Sequence, residues 1–163
     1  MLASCLRTRL KNVPDFPIIE GRYPLSDRWS IHLTGPFFQR AEHADVCVWR
    51  PGLTVWLAVW NNDKSQTAAE RLARIRSSIS GDAYDLTEES QQSVLRFAYR
   101  LREVKQDKRV DAFYAYVIGD SGHVQLAIYF DDEEQLELAQ TLWRGVEEDR
   151  GNPVVLASSP EGL

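Results

Sequence analysis

Residues 111–130 read DAFYAYVIGDSGHVQLAIYF, and this stretch decides the fold class. Apolar and polar-tipped residues alternate on both sides of Gly119-Asp120-Ser121-Gly122, the pattern of two strands joined by a tight turn. Successive side chains of a strand point to opposite faces. Phe113, Ala115, Val117, Val124, Leu126 and Ile128 therefore form one face, suited to a core. Tyr114, Tyr116, Ile118, His123, Gln125, Ala127 and Tyr129 form the other.

A second hairpin lies upstream. Residues 45–50 and 53–61 flank Arg50-Pro51-Gly52-Leu53, with Pro and Gly at the positions a type II turn requires. With Arg50 opposite Leu53, Val48 faces Val55 and Val46 faces Leu57, and Val59 completes a plain aliphatic face. The opposite face holds His43, Asp45, Cys47, Trp49, Trp56, Ala58 and Trp60. Each hairpin thus pairs an aliphatic face with one of Trp, Tyr and His.

Further out, Trp29, Ile31 and Leu33 alternate with Ser30 and His32, Gly35-Pro36 ends that strand, and 37–42 forms another. Residues 1–24 carry three prolines without periodicity and read as an irregular leader. Ala68, Leu72, Ile75 and Ile79 make a helical stripe beginning near Ser65. Val94, Phe97, Ala98, Leu101 and Val104 make a second, with Asp85 or Thr87 as its cap and Gly81 as the stop between the two helices. A last helix opens at Asp131-Asp132-Glu133-Glu134, carboxylates at the positive end of the helix dipole, with the stripe Leu136, Ala139, Trp143 and Val146. The expected order is ββββ-αα-ββ-α. This is an α+β domain, a largely antiparallel sheet with helices on at least one face. The 163 residues form a single domain, with a folded core over 28–147 and a frayed tail over 151–163.

Composition narrows the function. Nineteen Lys and Arg against 24 Asp and Glu give a net charge of −5, the wrong balance for a general nucleic-acid binder. The charge is uneven: residues 110–163 hold two basic and eleven acidic residues, a net of −9. That end would steer a basic partner; solvated carboxylates at a helix start are the plainer account. Arg71, Arg74, Arg76, Arg96, Arg100 and Arg102 are interleaved with glutamates and read as intrachain pairs rather than a phosphate surface.

Cys5 and Cys47 match no metal motif and build no disulfide scaffold, as expected of reduced thiols in a cytoplasmic protein. The apolar run over 55–60 falls far short of the ~20 residues of a membrane helix. No phosphate loop, dinucleotide fingerprint, zinc-protease motif or nucleophile elbow is present, so no catalytic or metal-ligating residue is assigned and no cofactor is expected. His43 and Cys47 lie about 13 Å apart along one strand, too far for a nucleophile–base pair. A Cys–His site requires another strand to bring His32 or His123 beside Cys47.

Thr34-Gly35-Pro36-Phe37, the hairpin over 46–60 and the run GHVQLAIYFDD over 122–132 resemble small bacterial proteins of toxin–immunity loci, often near contact-dependent secretion systems. The resemblance covers 28–146. It implies a cytoplasmic, non-enzymatic immunity-type inhibitor that occludes one cognate toxin. The acidic C-terminal third suits a basic one.

The expected partner is therefore one protein, with no nucleic acid and no membrane. The expected contacts are Trp49, Trp56, Trp60, Tyr114, Tyr116, His123 and Tyr129 as anchors, with Asp131, Asp132, Glu133 and Glu134 for steering. Against this stands the reading that helices cover the aromatic face and make it core. Two other functions remain: a small enzyme or ligand carrier with a pocket beside that face, and a homodimer joined through it.

Overall fold

The computed structural model describes residues 15–91 and 93–151. Strands β1 (Ile18–Pro24), β2 (Trp29–Glu42), β3 (Asp45–Arg50) and β4 (Leu53–Asn61) form one antiparallel meander. Helix α1 (Ala68–Ser78) then carries the chain to the far edge, where β5 (Tyr84–Gln91), β6 (Val94–Lys105), β7 (Lys108–Ile118) and β8 (Gly122–Phe130) meander back. β8 closes on β4, so the strand order is β1-β2-β3-β4-β8-β7-β6-β5. A 3₁₀ turn (Glu133–Gln135) leads into α2 (Leu136–Arg144) and a short β9 (Val146–Glu148), which pairs with β2. Among the described residues the fold is a nine-stranded sheet, antiparallel in every ladder, with two helices.

The hairpin registers follow the alternation. Arg50 pairs with Leu53, Val48 with Val55 and Val46 with Leu57, while Phe113 pairs with Ile128, Ala115 with Leu126 and Val117 with Val124. The aliphatic face is the main core: α2 lays Ala139, Leu142 and Trp143 on it, joined by Trp29, Ile31, Leu33 and Phe37 of β2. Trp143 also donates its indole N–H to the Tyr116 carbonyl at 3.1 Å, satisfying a polar atom that burial would otherwise strand. Buried Arg96 donates to the carbonyls of Arg144 and Val146 at 3.3 and 3.0 Å, a cation at the negative end of α2.

Several expectations are corrected. Residues 94–105 form β6, not a second helix, so the element order is ββββ-α-ββββ-α-β. The spacing of Val94, Phe97, Ala98, Leu101 and Val104 fits both periods. Leu95, Phe97, Tyr99 and Leu101 occupy one face and Val94, Arg96, Ala98 and Arg100 the other, with most positions buried. A strand buried on both faces shows no clean alternation, and ladders to β5 and β7 decide its state. Asp85 and Thr87 lie accordingly in β5, a polar edge strand with a bulge between Tyr84 and Thr87.

Residues 18–24 of the expected leader are β1; a bulge between Ile19 and Gly21, with Gly21 at φ +72°, hides their alternation. Gly35-Pro36 does not end a strand but lies within β2, Gly35 at φ +92°. Pairing on one side of β2 passes there from β9 (at Trp29, Ser30 and Ile31) to β3 (from Phe38 onward). Val146 belongs to β9, and Asp132 caps the 3₁₀ turn rather than α2. Helix α1 is capped by Thr67 in a capping box with Glu70. Residues 1–14, with Cys5, and the tail over 152–163 lie outside the described residues.

Candidate functional site

The aromatic face is half core and half surface. Leu72 and Ile75 of α1 pack on Phe97, Tyr99, Tyr116 and Ile118, making a second core over β6 and β7. No helix among the described residues packs over the rest of that face. This open half runs from Ile18 and Phe38 through Trp49 to Trp56 and Trp60. Trp49 stacks on Phe38 at 5.8 Å and meets Phe16 edge-on at 4.8 Å. Trp60 is 54% exposed, unusual for so large an apolar side chain on a regular strand.

Alternation along β4 and β8 shapes a pocket in this half. Trp56 and Trp60 flank Ala58, and across the ladder Gln125 pairs with Ala58 and Ala127 with Trp56. Two alanines between large neighbours leave a depression of about 200 Å³, lined also by Asp45. The Arg40 guanidinium lies over the Trp56 ring at 5.7 Å and donates to Glu42 at 3.0 Å. Cys47 pairs with Arg40 on one side and Trp56 on the other and is 3% exposed. Burial pushes its thiol up, against the pull of Arg40, which keeps it protonated near neutrality. Neither His32 nor His123 reaches it in either ladder. Among the described residues Cys47 therefore has no histidine as ladder partner, and burial denies it the thiolate character a nucleophile needs.

The helix-covered half contains one polar network and its border a second. Arg71, 2% exposed, reaches from α1 to the Gly119 carbonyl at 3.3 Å and to Nδ1 of His123 at 2.5 Å. A guanidinium has no acceptor, so Nδ1 accepts and the proton of the neutral ring sits on Nε2. Burial pushes His123 down to about 4, helped by the charges of Arg71 and Arg74. His123 is a clasp between α1 and the sheet, and Trp60 stacks on it at 6.2 Å.

At the boundary of the two halves, Tyr114 donates to Glu103 at 2.5 Å and shares a hydrogen bond with Tyr129 at 2.9 Å. Lys105 caps the Tyr129 ring at 3.8 Å. Burial and these bonds push the Tyr114 hydroxyl up.

The expected contacts thus divide. Trp49, Trp56 and Trp60 share the open half, Tyr114 and Tyr129 lie half-buried at its border, and Tyr116, 9% exposed, is core beneath α1. Asp131, Asp132, Glu133 and Glu134 are exposed, but beyond the far end of β8, about 26 Å from His123 at strand rise. Of these, Asp132 accepts from the Glu134 amide at 3.0 Å, and Glu133 holds Arg100 through two bonds of 2.7 and 2.6 Å.

Sequence reasoning missed Phe38 and Ile18, which extend the open half; the alternation of Phe38, Arg40 and Glu42 against β3 was the available signal. Arg100 makes the intrachain pair expected of it, with Glu133; what the sequence does not reveal is that Arg71 and Arg100 are buried, because a long cation on an amphipathic stripe reads as solvated.

Among the described residues no helix is long and apolar enough to cross a membrane, and no three His, Cys, Asp or Glu side chains converge as metal ligands. No known family model and no curated protein matches this chain.

Proposed function

We propose that the chain is a non-enzymatic protein-binding module of the immunity type, which inhibits one cognate toxin by occlusion in the cytoplasm. The observation that carries this reading is the open half-face, where Trp60 stands 54% exposed beside half-buried Trp56 and Trp49 on a rigid sheet. Tryptophan gives a large contact area for little conformational entropy and dominates interface energetics. A sheet with a full core on its other side holds the backbone of such anchors in place, which lowers the ordering cost on binding. The net of −9 over residues 110–163 steers a basic toxin toward the molecule.

The test is affinity capture of tagged protein from native lysate beside Trp60→Ala, followed by assay of the captured partner's activity. One stoichiometric partner, inhibited by the native chain and lost with Trp60→Ala, supports the reading. A partner retained by Trp60→Ala moves the contact elsewhere, the acidic run after β8 being next. The pocket between Trp56 and Trp60 supports a small-ligand carrier as the second reading. At about 200 Å³ it is smaller than the ~300–1,000 Å³ usual for small-molecule sites, which favours a single side chain of a partner as its occupant.

A further inference from the structure

The protein holds its own arginines in a recurrent way. Arg100 lies over Tyr84 and Phe130 at 5.2 and 5.7 Å while Glu133 takes it in a two-pronged pair. Arg144 lies over Trp143 at 5.6 Å while Glu89 accepts from its Nε and NH2. Arg40 lies over Trp56 at 5.7 Å with Glu42 at 3.0 Å. Each time an aromatic ring supplies a face and a carboxylate supplies acceptors, the arrangement suited to a planar guanidinium.

The Trp56–Trp60 pocket presents the same parts with no cation of the described residues in it. Asp45 stands across from Ala58, one place beyond the Val46–Leu57 pair, and makes no ion pair or side-chain hydrogen bond among the described residues. Gln125 adds an amide on the opposite wall. Trp60 stacks one way on His123 and leaves more than half its surface to solvent. Arg40, on the neighbouring strand β2, is already paired with Glu42.

We propose that this pocket takes one arginine side chain of the protein partner, its guanidinium laid on the Trp60 indole and its N–H groups donated to the Asp45 carboxylate and the Gln125 amide oxygen. The inference rests on the docking reading above and names the chemistry of the contact. Lysine, a compact ammonium, matches neither the ring face nor two acceptors as well.

The experiment titrates the full chain with N-acetyl-arginine amide, N-acetyl-lysine amide and the neutral isostere N-acetyl-citrulline amide, reading the tryptophan indole N–H signals by NMR. A saturable shift of the Trp56 and Trp60 signals is expected in the millimolar range with arginine. Citrulline should bind about tenfold more weakly, and lysine should fall between. Asp45→Asn should weaken the arginine response by about tenfold while the buried Trp143 signal stays in place, reporting an intact fold.

No arginine shift, an equal citrulline shift, or an unchanged response in Asp45→Asn overturns the proposal. An equal citrulline shift would assign the pocket to flat neutral groups. A partner lost with Trp60→Ala yet bound normally by Asp45→Asn would leave the docking reading standing and remove the arginine.

Discussion

Tyr116 and Trp60 project from the same face of one sheet, two strands apart, and meet opposite environments. Tyr116 is 9% exposed beneath α1; Trp60 is 54% exposed. Both belong to strands of alternating pattern, and both combine an apolar ring with one polar tip. The connection, not the side chain, separates them. The chain leaves β4 in the middle of the sheet and re-enters at the β5 edge, so α1 has to cross the β8-β7-β6 half. It packs on β6 and β7, and nothing in that path takes a helix over β3 or β2. The open tryptophan surface is the area that this crossover leaves uncovered.

The largest effect should separate the two halves outright. Phe97→Ala, beneath α1, should cost about 3–5 kcal/mol of stability and move the urea midpoint sharply down. A loss below about 1 kcal/mol would mean that α1 is not docked as described.

The next effect reports the α1 clasp through pH. His123 has its pKa lowered to about 4 from an ordinary 6.5, so between those values the unfolded chain binds the proton and the folded chain does not. Stability should therefore be full above pH 6.5 and fall as the pH drops toward 4, by at most about 1.4 kcal/mol per unit. His123→Gln keeps an acceptor for Arg71 and should flatten the slope of urea-derived stability in that window. Glu89 and Glu133, held low by Arg144 and Arg100, make their own contribution to acid loss only below the ordinary carboxylate value of 4.5.

At the border, Tyr114→Phe removes the hydroxyl bonded to Glu103 and Tyr129 and should cost about 1 kcal/mol by the same urea measurement. On the open half, Trp60→Ala should change stability by no more than about 0.5 kcal/mol, with unaltered far-ultraviolet circular dichroism. A larger loss would make Trp60 a structural residue and erase the contrast with Tyr116.

Much of the site was legible because its parts are local. Trp56, Ala58 and Trp60 share a face by the strand period alone, and the Arg50-Pro51-Gly52-Leu53 turn sets Cys47 against Trp56. The same holds for Tyr114 opposite Ala127 and Tyr116 opposite Gln125. The acidic run after Phe130 has the character of a helix start, and Asp132 does cap a helical turn there. What misled was β6, where Arg96 and Arg100 stand at buried positions and break the alternation that would have marked a strand. Edge strands β1 and β5 escaped notice for a related reason: each carries a bulge and few buried side chains.

By itself, then, the sequence determined the two hairpins, their registers, the two-faced character of β4, β7 and β8, and the stripe of α1, all properties of side-chain period and turn chemistry within about twenty residues of chain. The tertiary structure alone decided that 94–105 is a strand, that β8 seals against β4, that Arg71 and His123 clasp α1 to the sheet, and which half of the aromatic face stays open. These are outcomes of pairing and burial between segments distant in sequence, where the free energy of filling a shared core outweighs the modest local preferences of each segment.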